Sequence, residues 1–255
     1  MTNKADFIKS VAEINFADSQ KMAKDKTLSR HEKIGFPNEY REGFSAAIFA
    51  DILGKLPALN GTNKKIADVG CGCDDLVTLM IDKAAANNNN LYLLDGQEML
   101  NLVPADSKYI HKIAGRFPDD LAFINEHSGT FDAIVVYSAM HYVTLDMNPL
   151  TFVDYLTELL ASGGRLLLGD LANRSKRRRF FLSPSGIKTH QKYTNSNEIP
   201  KVDLQELDIG KIDDTLIMTI LTRYRNAGME TYLLPQNENL PMANRREDIL
   251  IIKRN

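Results

Sequence analysis

Residues 66 to 76, Ile-Ala-Asp-Val-Gly-Cys-Gly-Cys-Asp-Asp-Leu, constrain the fold of this chain more than any other stretch, because a short apolar run stops in a glycine turn that opens directly into a helical pattern. Gly70 supplies the positive φ of a tight turn, and Gly72 has no Cβ to hold a ligand away from the backbone. A strand, a glycine turn and a helix in that order form a nucleotide cradle, and taken alone they also suit a purely structural strand-to-helix turn. About twenty residues on, the run Leu91 to Leu94 ends in Asp95 and Gly96. A carboxylate at that strand end accepts both hydroxyls of a ribose. Where a dinucleotide fingerprint has its third glycine, this chain has Cys73, Asp74 and Asp75. Two carboxylates there disfavour a pyrophosphate, which normally sits on the positive end of the following helix. A ligand with a ribose, no phosphate and its own positive charge fits better. S-adenosylmethionine, with a sulfonium and an ammonium, is such a ligand.

The surrounding pattern predicts an α/β fold. Strands are expected at 65–69, 91–94, 108–114, 131–137 and 165–169, with helices over 43–56, from the cradle to Ala86, over 119–126 and over 149–160. Alternation at these lengths indicates a doubly wound, mostly parallel sheet. A helix at 213–227 and strands at 229–235 and 248–253 complete seven strands. Residues 4 to 26 read as an amphipathic helix through Phe7, Ile8, Val11, Ile14 and Ala17. The polar segment Leu28 to Gly43 reads as a loop, and residues 1–56 together as N-terminal helices and a lid. From Asp170 to about Gly210 the rhythm breaks in a stretch too long for a connecting loop, which reads as a substrate-side insertion. One domain over residues 1–255 is the expectation.

Asp68-Val69-Gly70-Cys71-Gly72, Leu94-Asp95-Gly96 and Phe131 to Ser138 resemble the successive motifs of class I S-adenosylmethionine-dependent methyltransferases over roughly residues 60 to 170. The resemblance implies the Rossmann-like methyltransferase fold, with the cofactor held by Asp68, Gly70, Cys71 and Gly72 at the cradle and by Asp95, Gly96 and Gln97 after the second strand. It also implies Gly115, Arg116 and Phe117 around the adenine, and Tyr137 and Ser138 facing the methyl group. Tyr40 and Arg41 precede the first core helix, where an arginine suits the methionine carboxylate; a surface pair with Glu39 or Glu42 is the alternative. A looser likeness, through Gly169 to Asn173, Ser175 to Phe180 and Arg245 to Ile251, is to methyltransferases of bacterial capsule and lipopolysaccharide clusters. It implies O-methylation of a phosphorylated, phosphoramidate or nucleotide-activated sugar precursor. A small-molecule or RNA N-methyltransferase, or a cofactor-binding regulatory protein, are the alternatives.

Methyl transfer to a hydroxyl needs alignment first and a base second. His141 is the expected base, because it follows the fourth strand and an imidazole titrates near neutral pH. Asp170, closing the fifth strand, is expected to orient the acceptor. His31 and His190 lie in the two segments expected to cover the site. Arg177, Arg178 and Arg179, followed by Phe180 and Phe181, are expected to clamp an anionic acceptor, a solvated helix face being the alternative. Formal net charge is only -2, which removes any electrostatic case for duplex nucleic acid. No run reaches the ~20 apolar residues of a membrane span, and the start lacks an apolar leader core, so a cytoplasmic protein is expected. The two cysteines, Cys71 and Cys73, are too close for an ordinary disulfide and lack the second pair of a zinc site, so no metal is expected. The oligomeric state is left open.

Overall fold

Strand β4 (Phe131–Tyr137) is buried along nearly its whole length, as a central strand covered on both faces must be. Around it, in the computed structural model, which describes residues 14–104 and 107–254, seven strands form one sheet. The strands are β1 (Lys65–Val69), β2 (Asn90–Asp95), β3 (Ile110–Ala114), β4, β5 (Leu160–Leu171), β6 (Glu230–Pro235) and β7 (Glu247–Ile252). Their spatial order is β3-β2-β1-β4-β5-β7-β6, with β7 antiparallel to both neighbours and the rest parallel.

The period of two along β4 sorts its side chains onto two cores. Ile134 and Val136 join Phe152, Leu156, Ile217 and Ile220 from helices Pro149–Leu159 and Asp214–Asn226. Ala133 and Val135 face Ile48, Ile52, Val77 and Met80 from helices Ser45–Lys55 and Asp75–Ala86. Each large apolar side chain buried in this way stabilises the fold by about 1.5–3 kcal/mol. Chain direction reverses between β1 and β4, since β1 leads outward to β2 and β3 and the chain then returns to the other side. The crevice outside the carboxyl ends of β1 and β4 is therefore the place where this topology holds ligands.

Several expectations change in detail. Strand β5 begins at Leu160, five residues before the predicted start, and its pairing with β4 is irregular between Phe131 and Ala133. The segment after β4 is helical over Met140–Asp146, and the predicted loop at 28–43 contains a short helix, Arg30–Lys33, closed by a capping box between Ser29 and Glu32. The insertion is two helices, Arg174–Leu182 and Pro184–Thr194, followed by an irregular stretch to Gly210. Of the helix expected at 4–26, Phe16–Lys24 is present; Phe7, Ile8 and Val11 lie outside the described residues. No helix among the described residues is long and apolar enough to cross a membrane.

Candidate active site

The cradle forms as its sequence requires. Gly70 and Gly72 take φ of 74° and 64°, and a Cβ on Gly70 would lie 2.9 Å from that of Ala139, so the turns after β1 and β4 approach as closely as glycine permits. Asp74 caps helix Asp75–Ala86 by accepting from Leu76 N at 3.0 Å. The positive helix end already holds an anion, which leaves no backbone nest for a diphosphate. Asp95 accepts from Gly72 N at 3.0 Å and Gly96 N at 2.7 Å, one bond on each oxygen, so each oxygen keeps a lone pair for further donors. Burial pushes its pKa up to about 6 against those two bonds. Asp68, beneath the turn, is pushed further, to about 8, by burial and by the charges of Asp95 and Asp74. The three carboxylates make the cradle a place for positive charge.

A cavity joins this cradle to the end of β4. Gly70, Cys71, Gly72 and Asp95 line one side; Gly115, Arg116 and Phe117 the end; Arg41, Tyr137 and Ser138 the other side. These ten of the fourteen predicted cofactor residues are thus brought together. Asp68, Gly96, Gln97 and Tyr40 do not line the cavity. Gly96 instead makes room for the lid, since a Cβ there would meet the Gln20 amide at 2.0 Å. Gln97 is exposed and bonds Asn101, and Tyr40 lies within electrostatic reach of Arg245. Arg116 is paired with Asp119 at 3.0 Å, so Phe117, set edge-on to Phe152 at 5.4 Å, is the better candidate for the adenine face.

The remaining wall belongs to residues that sequence reasoning missed. Helix Phe16–Lys24 covers the cavity through Phe16 and Ser19, and Phe16 N donates to Asp146 Oδ2 at 2.7 Å. Tyr142, Val143, Asp146 and Met147 project from the segment after β4 at steps of one, three and one residues, a helical face that is visible in retrospect. Tyr142 donates to Ile34 O at 3.1 Å and Arg30 to Cys73 O at 2.8 Å, which fasten the lid to the core.

Behind the cavity runs a buried polar network. Arg41 is 3% exposed; its guanidinium donates to Ser138 Oγ and lies 3.5 Å from Asp170 Oδ2 and 4.1 Å above the Phe36 ring. Its Nε is buried with no partner among the described residues. The surface pair with Glu39 or Glu42 is excluded by this burial. Asp170 also faces Arg246 at 3.7 Å, and its backbone N donates to Asp248 Oδ1 at 2.8 Å. Asp248 is matched by Lys55 at 2.7 Å. Removing one member of such a buried pair leaves an unpaired charge and costs about 3–5 kcal/mol.

His141 differs from its expectation. It is half-buried, its ring 3.9 Å from that of Tyr142, and it lies off the cavity lining. Loss of solvent around the ring, followed by the positive charge of Arg246, holds its pKa down to about 3, with Arg41 and Lys211 lowering it and Asp170 opposing. An imidazole titrating near neutral pH is not what the fold provides. His31 does not line the cavity either, and its Nδ1 is buried without a partner among the described residues. His190 sits 6.2 Å from Phe181, edge to face, on the outer helix.

The basic block is divided. Arg178 is buried in a tight pair with Asp208, and it donates to Glu206 O at 3.0 Å. Arg179 is paired with Asp214. Both are structural, because three consecutive helical residues point about 100° apart and cannot share one clamp. Arg177 alone turns toward Phe181 and the Arg245–Arg246 turn. Among the described residues no group of acidic, histidine and cysteine side chains is arranged to hold a metal ion.

No protein-family model and no curated protein matches the chain. Among solved structures it is similar to the plantazolicin methyltransferase BpumL in complex with a triazolic desmethylPZN analog and SAH, at 15% identity and a TM-score of 0.59, over 98% of this chain and 99% of that one. It is similar to the CurJ carbon methyltransferase at 15% identity and 0.57, over 98% of this chain and 67% of that one. Phosphoethanolamine N-methyltransferase 1 of Haemonchus contortus, with phosphoethanolamine and S-adenosylhomocysteine, gives 15% and 0.59, over 99% of this chain and 50% of that one. The chain has the Rossmann-like methyltransferase fold.

Proposed function

We propose that this chain is an S-adenosylmethionine-dependent methyltransferase acting on a small anionic acceptor. The observation that carries the reading is the Asp95 carboxylate, fixed by Gly72 N and Gly96 N and facing the cavity with lone pairs to spare for a ribose diol. Two further features fit the same molecule. Asp68 and Asp74 favour a ligand carrying positive charge, and the unpartnered Nε of Arg41, a side chain of the cavity wall, suits a carboxylate.

When bound, S-adenosylmethionine supplies an activated methyl group on a sulfonium. The protein's share is position and exclusion of water: Phe16, Phe36 and Tyr142 close the cavity from the lid side, and Ser138 with Asp170 presents a fixed pair of oxygens at the ends of β4 and β5. The paired oxygens are suited to orienting an acceptor hydroxyl, the role expected of Asp170, whereas His141 is disposed to remain neutral and to pack beside the acceptor.

Proteins of similar fold hold molecules as different as a triazolic desmethylPZN analog and phosphoethanolamine, so the anionic acceptor rests on this chain's own arginines. The likeness to capsule and lipopolysaccharide methyltransferases makes a surface-polysaccharide precursor the first acceptor class to test. Calorimetric titration with S-adenosylhomocysteine decides the cofactor reading: the wild-type chain is expected to bind, and Asp95→Ala to weaken binding by about 1.5–3 kcal/mol, the range for hydrogen bonds to a charged group. A folded Asp95→Ala chain with unchanged affinity would remove the central assignment.

A further inference from the structure

Helix Arg174–Leu182 packs against the turn Ala243–Arg245, and their arginines share two aromatic rings. The Arg177 guanidinium carbon lies 5.0 Å from the centre of the Phe181 ring. That of Arg245 lies 5.8 Å from the Phe181 ring and 5.8 Å from the Phe180 ring. Arg246, the next residue, reaches back to the crevice and donates to Asp170 O at 3.2 Å.

The rest of this basic region is neutralised. Arg174 and Arg178 pair with Asp208, Lys176 with Glu247 and Arg179 with Asp214. Among the described residues neither the exposed Arg177 nor the half-buried Arg245 forms an ion pair. Both have pKa values below the ordinary arginine range, chiefly through loss of solvent around the guanidinium; for Arg177 the charges of Arg174, Arg246 and Arg178 add to this and Glu206 opposes it, and for Arg245 those of Arg246 and Arg177 add to it and Tyr40 opposes it. Holding like charges together is unfavourable, and the charge of Glu206 near Arg177 and the stacking on Phe180 and Phe181 offset only part of it. Stacking occupies the guanidinium faces and leaves N–H edges for a ligand, with one Arg245 nitrogen donating to Asn244 Oδ1 at 3.5 Å.

We infer that Arg177, Arg245 and Arg246 form a subsite for a phosphoryl-type dianion of the acceptor, separate from the cavity assigned to S-adenosylmethionine; the inference rests on the methyltransferase reading. A tetrahedral dianion offers acceptor oxygens in several directions and matches guanidinium edges supplied by two separate elements, whereas a flat carboxylate is satisfied by a single fork. Arg246 joins the subsite to Asp170, and Asp170 to Ser138 on the cavity wall. A dianion held there lies on the acceptor side of the crevice.

The test uses the full chain labelled with 15N in its arginines and saturated with S-adenosylhomocysteine, titrated with inorganic phosphate at pH 8 and constant ionic strength. The Nε–H resonances of Arg177 and Arg245 are expected to shift saturably. The dissociation constant is expected to weaken about 10-fold in Arg177→Gln and in Arg245→Gln, the loss of one charge-assisted contact, and to stay unchanged in Arg179→Gln. Shifts that chloride reproduces, absence of saturation, or equal weakening in Arg179→Gln would overturn the subsite. Calorimetry with S-adenosylhomocysteine on the same samples separates the two failures. A chain that does not bind it loses the methyltransferase reading, while one that binds it but shows no phosphate response loses only the subsite.

Discussion

Ser138 donates its hydroxyl to Asp170 Oδ2 at 2.5 Å while both residues hold left-handed backbone, with φ of 59° and 57°. One ends β4 and the other lies near the end of β5, so the two strands finish side by side in a conformation that side chains resist. Backbone strain of this kind costs about 1–3 kcal/mol per residue and persists where the surroundings fix it, commonly at ligand sites.

Two substitutions at Ser138 separate the bond from the strain. Ser138→Ala keeps the left-handed cost and loses the bond, so it is expected to destabilise by about 1–3 kcal/mol, leaving Arg41 and Asp170 short of a partner. Ser138→Gly loses the same bond but relieves the backbone, so it is expected to be the milder change. Paired thermal melts check the order, and an alanine variant as stable as the glycine one would mean that the strain is absent.

Asp68 makes stability fall with pH. Its folded pKa of about 8 stands above the ordinary 3.8, so the folded chain holds a proton that the unfolded chain releases, and stability is lost as pH rises from about 4 towards 8. Asp68→Asn is expected to match wild type near pH 4 and to exceed it by a few kcal/mol at pH 8. Binding of a cation should expel the proton: S-adenosylmethionine titrated at pH 7 in two buffers of different ionisation enthalpy is expected to release protons from wild type and fewer from Asp68→Asn.

His141 works in the opposite sense. With a folded pKa of about 3 against an ordinary 6.5, it contributes stability above pH 6.5 that is lost as pH falls through 6.5 towards 3. The charges facing it are Arg246, Asp170, Arg41 and Lys211. Ring-proton NMR of the free chain is expected to show it neutral down to about pH 4, and the kcat profile to lack a His141 limb between pH 5.5 and 7.5. A midpoint near 6.5 would restore it as a general base.

The lid depends on a missing methyl group. Gly35 has φ of 80°, and a Cβ there would stand 2.0 Å from Tyr142 Oη, the atom that donates to Ile34 O. Gly35→Ala is expected to cost about 1 kcal/mol for backbone alone and to push Tyr142 off the lid, weakening S-adenosylhomocysteine binding about 10-fold. Adding Tyr142→Phe removes the clashing oxygen and leaves Cζ at 3.3 Å, so part of the affinity should return. A double-mutant cycle by calorimetry measures this, and additive losses would show that the two positions are uncoupled.

The parts of the molecule readable from sequence were those in which local pattern and packing demand the same thing. Strands β1 and β4 occur at the predicted residues because mostly apolar runs of that length, interrupted by Asp68 and Asp132 and followed by Gly70 and Ser138, suit the middle of a parallel sheet. Helix Met140–Asp146 was missed because seven residues make two turns, too few for Met140 and Val143 to stand out as a period. The cradle glycines and Asp95 were readable because their roles are set by neighbours in sequence. The arginine block was misread as a unit, although consecutive helical residues diverge, and Arg245 gained its place only through a contact across more than sixty residues. Nor does any local pattern reveal that Gly96 serves the lid through Gln20.

The strand order places β7 between β5 and β6, so the strand that follows β6 in the chain lies inside it in the sheet. A nascent chain that has emerged only as far as β6 exposes the edge of β5, with unpaired backbone groups and Leu166 and Leu168 beside it, which is a template for pairing with the wrong partner. Arrival of β7 closes that edge and in the same event brings Asp248 to Lys55 and to Asp170 N. The acceptor side of the crevice therefore cannot form ahead of the completed sheet. Pairing of β7 thus completes this part of the sheet and this side of the crevice in one step.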